Sequence, residues 1–309
     1  MKVLFKYCRQ SMSKRILSFS NPFHLSAKLG QLVIFNKDTE DEVTRPIEDI
    51  GYLILDHPQI TFTTALMQVL ADSNVAVIFC DSKHHPASML LHLDTHHIQA
   101  ERFKDQLSAT EPLKKQLWQQ TIKAKIRNQA KVLEYAGQSA LALYHLAGRV
   151  TSGDTTNCEA QAARIYFKSL YGDTFLRNRD GPPPNPSLNY GYSLIRASVA
   201  RALAGSGLLV TLGIHHHNKY NSFALADDIM EPFRPFVDWL VYLQIRGIPD
   251  YHNLTKDRKA EFFQLLQSDC LWKEEKSPLS VAIESVSANL AKCFEGMAKK
   301  LQYPELPEI

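Results

Sequence analysis

No two cysteines in this chain stand at a C-x-x-C spacing. The five present, Cys8, Cys80, Cys158, Cys270 and Cys293, are scattered and odd in number, which excludes a disulfide framework and a cysteine-built structural zinc, and fits a reducing cytoplasmic setting. The sequence also has no run of 18 apolar residues, and no apolar core follows Lys2 and Lys6 at the N-terminus, so neither a membrane span nor export is expected. A strong charge of one sign is missing as well: 35 Lys and Arg against 32 Asp and Glu leave a net +3. Bulk charge therefore does not announce a nucleic-acid binder, and any basic surface must come from local segregation. Internal repeats are absent. What is plentiful is apolar residue, 45% of 309 positions, enough to fill the cores of two domains.

From about Ile16 to Phe79 the apolar residues come in short runs, Leu32-Val33-Ile34-Phe35, Tyr52-Leu53-Ile54-Leu55 and Val75-Ala76-Val77-Ile78-Phe79, each bounded by Asn, Asp, Gly or Pro. Those are strand signals. Asn36-Lys37-Asp38 fits a hairpin-like return, and Thr63 or Thr64 can cap one short helix carrying Ala65, Leu66, Val69 and Leu70. Beyond about Asp94 the period is helical almost to Lys300. The proline-rich stretch Arg177 to Pro186 is expected to be an exposed loop. The fold class is thus α+β: a β-rich, sandwich-like N-terminal domain followed by a larger all-α domain that holds the catalytic residues. The expected bounds are 12–90 and 91–309, with 1–11 an extension of no assigned role.

The chemistry is concentrated in Gly213 to Asp238, where His215, His216 and His217 are followed at short range by Asp227, Asp228 and Glu231. Imidazoles and carboxylates in such company are ligands for a divalent ion that acts on phosphate esters. Neighbouring side chains project in different directions, so at most one or two of the three histidines can be ligands. Asp228 and Glu231 share a face if helical, and two carboxylates about 4 Å apart repel by around 4 kcal/mol at an effective dielectric near 20, a repulsion that a divalent cation removes. The bland alternative is a pair of solvated acids at a helix start. Glu159, in a helix starting near Thr156 or Asn157 with Ala160, Ala163 and Phe167 facing a core, offers a third partner; otherwise it only favours the helix dipole.

A rival group, His84, His85, His92, His96 and His97, lacks the glutamate of an H-E-x-x-H pair and reads as polar surface. Between Pro112 and Leu133 every charged residue is basic. Lys123, Arg127 and Lys131 form one helical stripe opposite Trp118, Ile122, Ile126 and Leu133, either a phosphate-tracking face or a merely solvated one. Lys115 and Lys125 do not fit that stripe. Leu279, Ile283, Val286, Leu290, Phe294, Met297 and Leu301 form an apolar stripe that reads as core or subunit contact.

Taken together, Asn157-Cys158-Glu159-Ala160, Asn189-Tyr190-Gly191-Tyr192, Gly213-Ile214-His215-His216-x-Asn218 and Leu225-Ala226-Asp227-Asp228-Ile229-Met230-Glu231-Pro232-Phe233-Arg234-Pro235 resemble the CRISPR adaptation integrase family, in the form that accompanies single-protein RNA-guided effectors. The resemblance implies that Glu159, His216 and Glu231 bind Mg²⁺ or Mn²⁺ and that Asp228 supports the site. His216 is preferred over its neighbours because His-x-Asn follows the family's spacing. It further implies a metal-dependent DNA endonuclease and strand transferase of prokaryotic cytoplasm, inserting spacer DNA into a repeat array by attack of spacer 3′-hydroxyls on repeat phosphodiesters. The implied partners are double-stranded and branched DNA, a second copy of the chain, and a small ferredoxin-like adaptation protein in a heterohexamer, with an RNA-guided effector nuclease a further candidate. Candidate DNA contacts are Lys123, Arg127, Lys131, Arg164, Lys168, Arg177, Arg179 and Arg234. The alternatives are a nucleic-acid binding module without catalysis and an unrelated metal-dependent phosphoesterase.

Overall fold

The computed structural model describes residues 14–82, 84, 86–90, 96–246 and 254–307. The chain forms two compact units, one ending at Thr95 and the other opening at His96. The expected extension 1–11, and with it His85 and His92, lies outside the described residues.

The first unit runs β1 (Arg15–Phe19), β2 (Phe23–Lys28), β3 (Gln31–Asn36), β4 (Glu42–Pro46), β5 (Ile50–Leu55), β6 (Thr61–Phe62), α1 (Thr64–Asp72), β7 (Ala76–Cys80) and β8 (Pro86–Leu90). They make two four-stranded sheets, in the orders β1-β5-β7-β8 and β4-β3-β2-β6. β5 is buried along its whole length and pairs in parallel with β1 and β7, the setting in which an unbroken apolar run is favourable. β2, β3 and β4 form an antiparallel meander with Val33 opposite Ser26 and Thr44. Thr63 caps α1, its hydroxyl accepting from the Leu66 N–H at 3.2 Å. Leu66 and Leu70 then join Leu25, Leu32, Leu53 and Val77 in one core.

The second unit runs α2 (Gln99–Ser108), α3 (Glu111–Tyr135), α4 (Leu141–Arg149), α5 (Cys158–Tyr171), α6 (Asn185–Gly205), α7 (Ala224–Ile229), α8 (Arg234–Ile245), α9 (Lys256–Leu265), β9 (Asp269–Trp272), β10 (Glu275–Pro278) and α10 (Leu279–Phe294). α3 is its axis. Trp118, Ile122, Ile126 and Leu133 are buried, and the helix packs against α4, α5, α8 and the 3₁₀ turn Glu231–Phe233.

Four expectations are corrected here. The helical half is not all-α, since β9 and β10 form an antiparallel hairpin. The buried face of α5 is Cys158, Ala162, Tyr166 and Leu170, one helical step away from the expected Ala160, Ala163 and Phe167. The proline-rich stretch is only partly a loop. Asn185 is 1% exposed, its carbonyl accepting from the Asn178 N–H and Arg177 Nη1 and its amide donating to the Leu176 and Pro182 carbonyls; Pro186 enters the first turn of α6, where a missing N–H costs nothing. The C-terminal apolar stripe holds through Phe294, but Met297 lies past the helix end and is exposed.

Candidate metal centre

Glu159 enters the centre from the first turn of α5. The helix begins where expected, with Asn157 as the residue before its first turn, but the side chain that caps it is Asp154, whose two oxygens accept from the Cys158 and Glu159 N–H groups at 2.9 Å each. A carboxylate on two orphan donors fixes the turn, and with it the departure of the Glu159 side chain. Glu231 comes from the opposite side, on the turn between α7 and α8, with its side chain 5% exposed. Between them stands Lys125 of α3. Its Nζ is 2.6 Å from Glu159 Oε1 and 2.5 Å from Glu231 Oε2, so those two oxygens are at most about 5 Å apart. The second Glu231 oxygen is 3.0 Å from Arg234 Nη2. Burial works against the charge on Lys125, but Glu231 and Glu159 outweigh it and hold the ammonium above the ordinary lysine range. Burial likewise works against the Glu231 carboxylate, and Arg234 and Lys125 together keep it below its ordinary range.

The histidine segment is tied down by Asp228, which is fully buried on α7. Its Oδ2 accepts from the Ile214 and His215 N–H groups at 2.7 and 2.9 Å. Its Oδ1 accepts from the His216 N–H at 3.2 Å and is in close contact with His216 Nδ1. Gly213 is required at the start of this wrap, since a Cβ there would lie 2.5 Å from the His216 carbonyl and 2.7 Å from Asp228 Oδ2. Ahead of it, Gln106 of α2 holds Leu209 through both its N–H and carbonyl. The three histidines part company as stereochemistry demands. The His215 ring stacks on Trp118 with centroids 4.1 Å apart, and burial lowers its pKa. His217 is exposed. His216 has Nδ1 on Asp228, which leaves Nε2 as its free nitrogen, the arrangement by which a carboxylate orients a ligating imidazole. The hydrogen bond to Asp228 raises its pKa, and the Glu231 charge adds to the rise.

Glu159 and Glu231 therefore share one cation position, and His216 and Asp228 form a second pair beside it. Among the described residues no group of three His, Cys, Asp or Glu side chains is close enough to hold an ion. The donor set fits a hard divalent ion nonetheless: two carboxylates already converge on one positive charge, and one imidazole nitrogen is left free by its partner.

Behind the centre, Arg234 lies over the Tyr192 ring at 4.8 Å, and the Tyr192 and Tyr166 hydroxyls meet the buried Asp238 carboxylate. Burial pushes the Asp238 carboxyl up to about 6. Asp227, by contrast, is bound by Arg196 and Asn221 and braces the loop before α7. Of the candidate DNA contacts, Lys123 and Arg127 line a groove of about 590 Å³ with Trp272, Lys273 and Lys300. Lys131 is paired with Glu305 at 2.7 Å. Arg164, Lys168 and Arg179 are exposed, whereas Arg177 is engaged by Asn185 and Asn189, and Arg234 by Glu231. A second cleft, of about 450 Å³, is lined by His216, His217, Asn218, Lys219 and Lys114. In the rival histidine group, His84 pairs with Asp56 and His96 stacks on His97.

The sequence matches the family described as CRISPR associated protein Cas1 over residues 18–248. The chain belongs to the Cas1 family. It is 37% identical over 299 residues to the CRISPR-associated endonuclease Cas1 of Neisseria meningitidis serogroup C (strain 8013), covering 96% of this chain and 97% of that one. In fold it is similar to a casposase bound to integration product, with a TM-score of 0.73 at 21% identity, covering 94% of this chain and 92% of that one. It is also similar to a chain of a Cas6-RT-Cas1–Cas2 complex, with a TM-score of 0.71 at 17% identity, covering 96% of this chain and 37% of that one. Membership accounts for the α+β architecture. No helix among the described residues is long and apolar enough to cross a membrane.

Two residues of the candidate centre, Lys125 and Asp154, are not singled out by the sequence reading. Lys125 lies off the basic stripe, and it occupies the inner face of α3 with Trp118, Ile122 and Gln129, all buried. A lysine on a buried face calls for an acid partner, and that was the available signal.

Proposed function

We propose that this chain is a metal-dependent DNA endonuclease and strand transferase of CRISPR adaptation. The observation that carries the reading is the convergence of Glu159, from α5, and Glu231, from the turn before α8, on a single cation position beside an imidazole oriented by a buried carboxylate. Glu159, Glu231 and Nε2 of His216 would hold Mg²⁺ or Mn²⁺. Bound there, the ion supplies Lewis-acid polarisation of a phosphodiester and stabilisation of the charge that develops on it.

The chain's own groups do the rest. Asp228 keeps His216 in the tautomer that presents Nε2, Arg234 holds Glu231 in its charged form, and Asp154 aims Glu159. The 3′-hydroxyl of an incoming strand attacks in line: its O–P bond forms as the P–O3′ bond of the repeat breaks, the hydroxyl proton passes to the departing 3′-oxygen or solvent, and the number of phosphodiesters is unchanged. Water in place of the hydroxyl gives cleavage at the same site. Exposed Arg164, Lys168 and Arg179, with Lys123 and Arg127, would grip backbone phosphates without reading sequence.

A neighbour in fold is bound to an integration product and another belongs to a complex with Cas2, which supports DNA and a small adaptation protein as partners here, in an assembly built on a dimer of this chain. Joining of an RNA-guided effector is part of the same reading. A second reading, a DNA-binding module without catalysis, is favoured by the lysine that fills the carboxylate pair. The two are separated by incubating branched DNA with Mn²⁺ and the wild-type or Glu159→Ala protein: cleavage and strand transfer by the wild type, both lost in the variant, are expected. Equal activity in the two proteins would reject the assignment of Glu159.

A further inference from the structure

The geometry points to Lys125 as a resident counter-cation that a divalent ion must displace, so that loading of the centre is coupled to the arrival of a DNA phosphate that takes up the ammonium. The inference rests on the metal reading of Glu159 and Glu231. Both carboxylates present an oxygen to Lys125 Nζ at hydrogen-bond distance, and a divalent ion bound to those oxygens at about 2 Å would stand where the ammonium now is. The two cations cannot share the position, because like charges in a poorly hydrated site exclude each other. Removing the ammonium without a replacement is unfavourable too, since it leaves two acids facing each other with Arg234 on the far Glu231 oxygen.

Lys125 has somewhere to go. Its four-carbon stem is flexible and its charge is a point rather than a planar fork, so the displaced ammonium stays beside the centre. Within the centre, Asp228 is already saturated by three backbone N–H groups and His216, the second Glu231 oxygen is held by Arg234, and the second Glu159 oxygen belongs to a carboxylate whose charge the divalent ion would already engage. The anion that can receive Lys125 is therefore one brought from outside, and a backbone phosphate at the reacting position is such an anion. By reciprocity, DNA then strengthens metal binding and metal strengthens DNA binding by the same factor.

The test is calorimetric titration of Mn²⁺ into the full-length protein, wild type and Lys125→Met, with and without a short unbranched DNA duplex. Without DNA, Lys125→Met is expected to bind Mn²⁺ at least tenfold more tightly than the wild type, and the duplex to raise the wild-type affinity by a larger factor than that of the variant. Lys125→Arg, which keeps the charge, is expected to stay as weak as the wild type. Should Lys125→Met fail to fold alone, Mn²⁺ is expected to restore its circular dichroism spectrum, and failure to do so would overturn the inference. Equal or weaker Mn²⁺ binding by a folded Lys125→Met, with the wild type binding normally, also overturns it while leaving the metal function standing. An absence of Mn²⁺ binding in every protein, DNA present or not, overturns the metal function itself.

Discussion

Asp228 is where structure and chemistry are most tightly joined, and Asp228→Asn isolates its contribution. The wild-type carboxylate is fully buried and accepts from the N–H groups of Ile214, His215 and His216 as well as from the His216 ring. Asparagine keeps the volume and one acceptor oxygen, but its amide nitrogen must then face at least one N–H donor. A buried donor left without an acceptor costs about 1–3 kcal/mol, and hydrogen bonds to a charged group are worth roughly 1.5–3 kcal/mol each. Because the bonds are not additive, the whole substitution should cost about 3 kcal/mol, a substantial part of a typical total stability of about 5–15 kcal/mol. The loss should appear as an earlier unfolding transition in urea. The functional loss should be separate and larger: with Nδ1 no longer held, His216 turns freely, and Mn²⁺ affinity should fall by about 10–100-fold, as for other partners of ligating histidines. Calorimetry at a temperature where both proteins are folded measures it. An Asp228→Asn protein with wild-type Mn²⁺ affinity would refute the claim that Asp228 acts through His216, whatever its stability.

Other substitutions probe the supports of the centre. A Cβ on Gly191 would lie 2.4 Å from Val237 Cγ1 and 2.7 Å from Phe262 Cε1, so Gly191→Ala should destabilise by roughly 1–3 kcal/mol through overpacking; an unchanged melting temperature would count against the close seating of α6 on α8 and α9. Asp238, raised by burial from 3.8 to about 6, is an acid whose folded pKa exceeds its unfolded one. Its stabilising contribution is complete below about pH 4 and lost as pH climbs through about 6, a span worth on the order of 3 kcal/mol. Asp238→Asn should remove that slope, and denaturation of both proteins at pH 4, 5.5 and 7 would reveal a stability difference that changes with pH; a constant difference would exclude the raised pKa. Replacing both Lys123 and Arg127 by Ala should reduce the slope of log affinity against log salt for duplex DNA by about 2, and an unaltered slope would remove their groove from the DNA path.

What could be read from the sequence, and what could not, follows from how local each determinant is. The strand runs, the Thr63 cap and the periodic apolar face of α3 are set by neighbouring residues, and the structure keeps them. The β9–β10 hairpin was invisible because its two-residue turn is Lys273-Glu274, both at positive φ. That backbone ordinarily advertises itself by Asn-Gly or Asp-Gly, and here the strand pairing and the chain segment at Glu305, which bridges to Leu271, impose it on residues that do not prefer it.

Lys125 is a different kind of omission. Sorting the basic residues of α3 by helical spacing picks out the stripe of Lys123, Arg127 and Lys131, exposed at Arg127 and half-buried at the other two, because charges on the outer face of a helix recur at its period. Lys125 lies on the other face for the opposite reason: it is held there by acids brought in from α5 and from the turn before α8. No local pattern can encode that. An ammonium buried at this position would be strongly unfavourable without both partners, so the presence of a lysine in an apolar helical face is itself evidence that two remote carboxylates meet there. Read in that direction, the apparent misfit in the stripe is the residue that calls for buried acid partners, and the fold supplies them as Glu159 and Glu231.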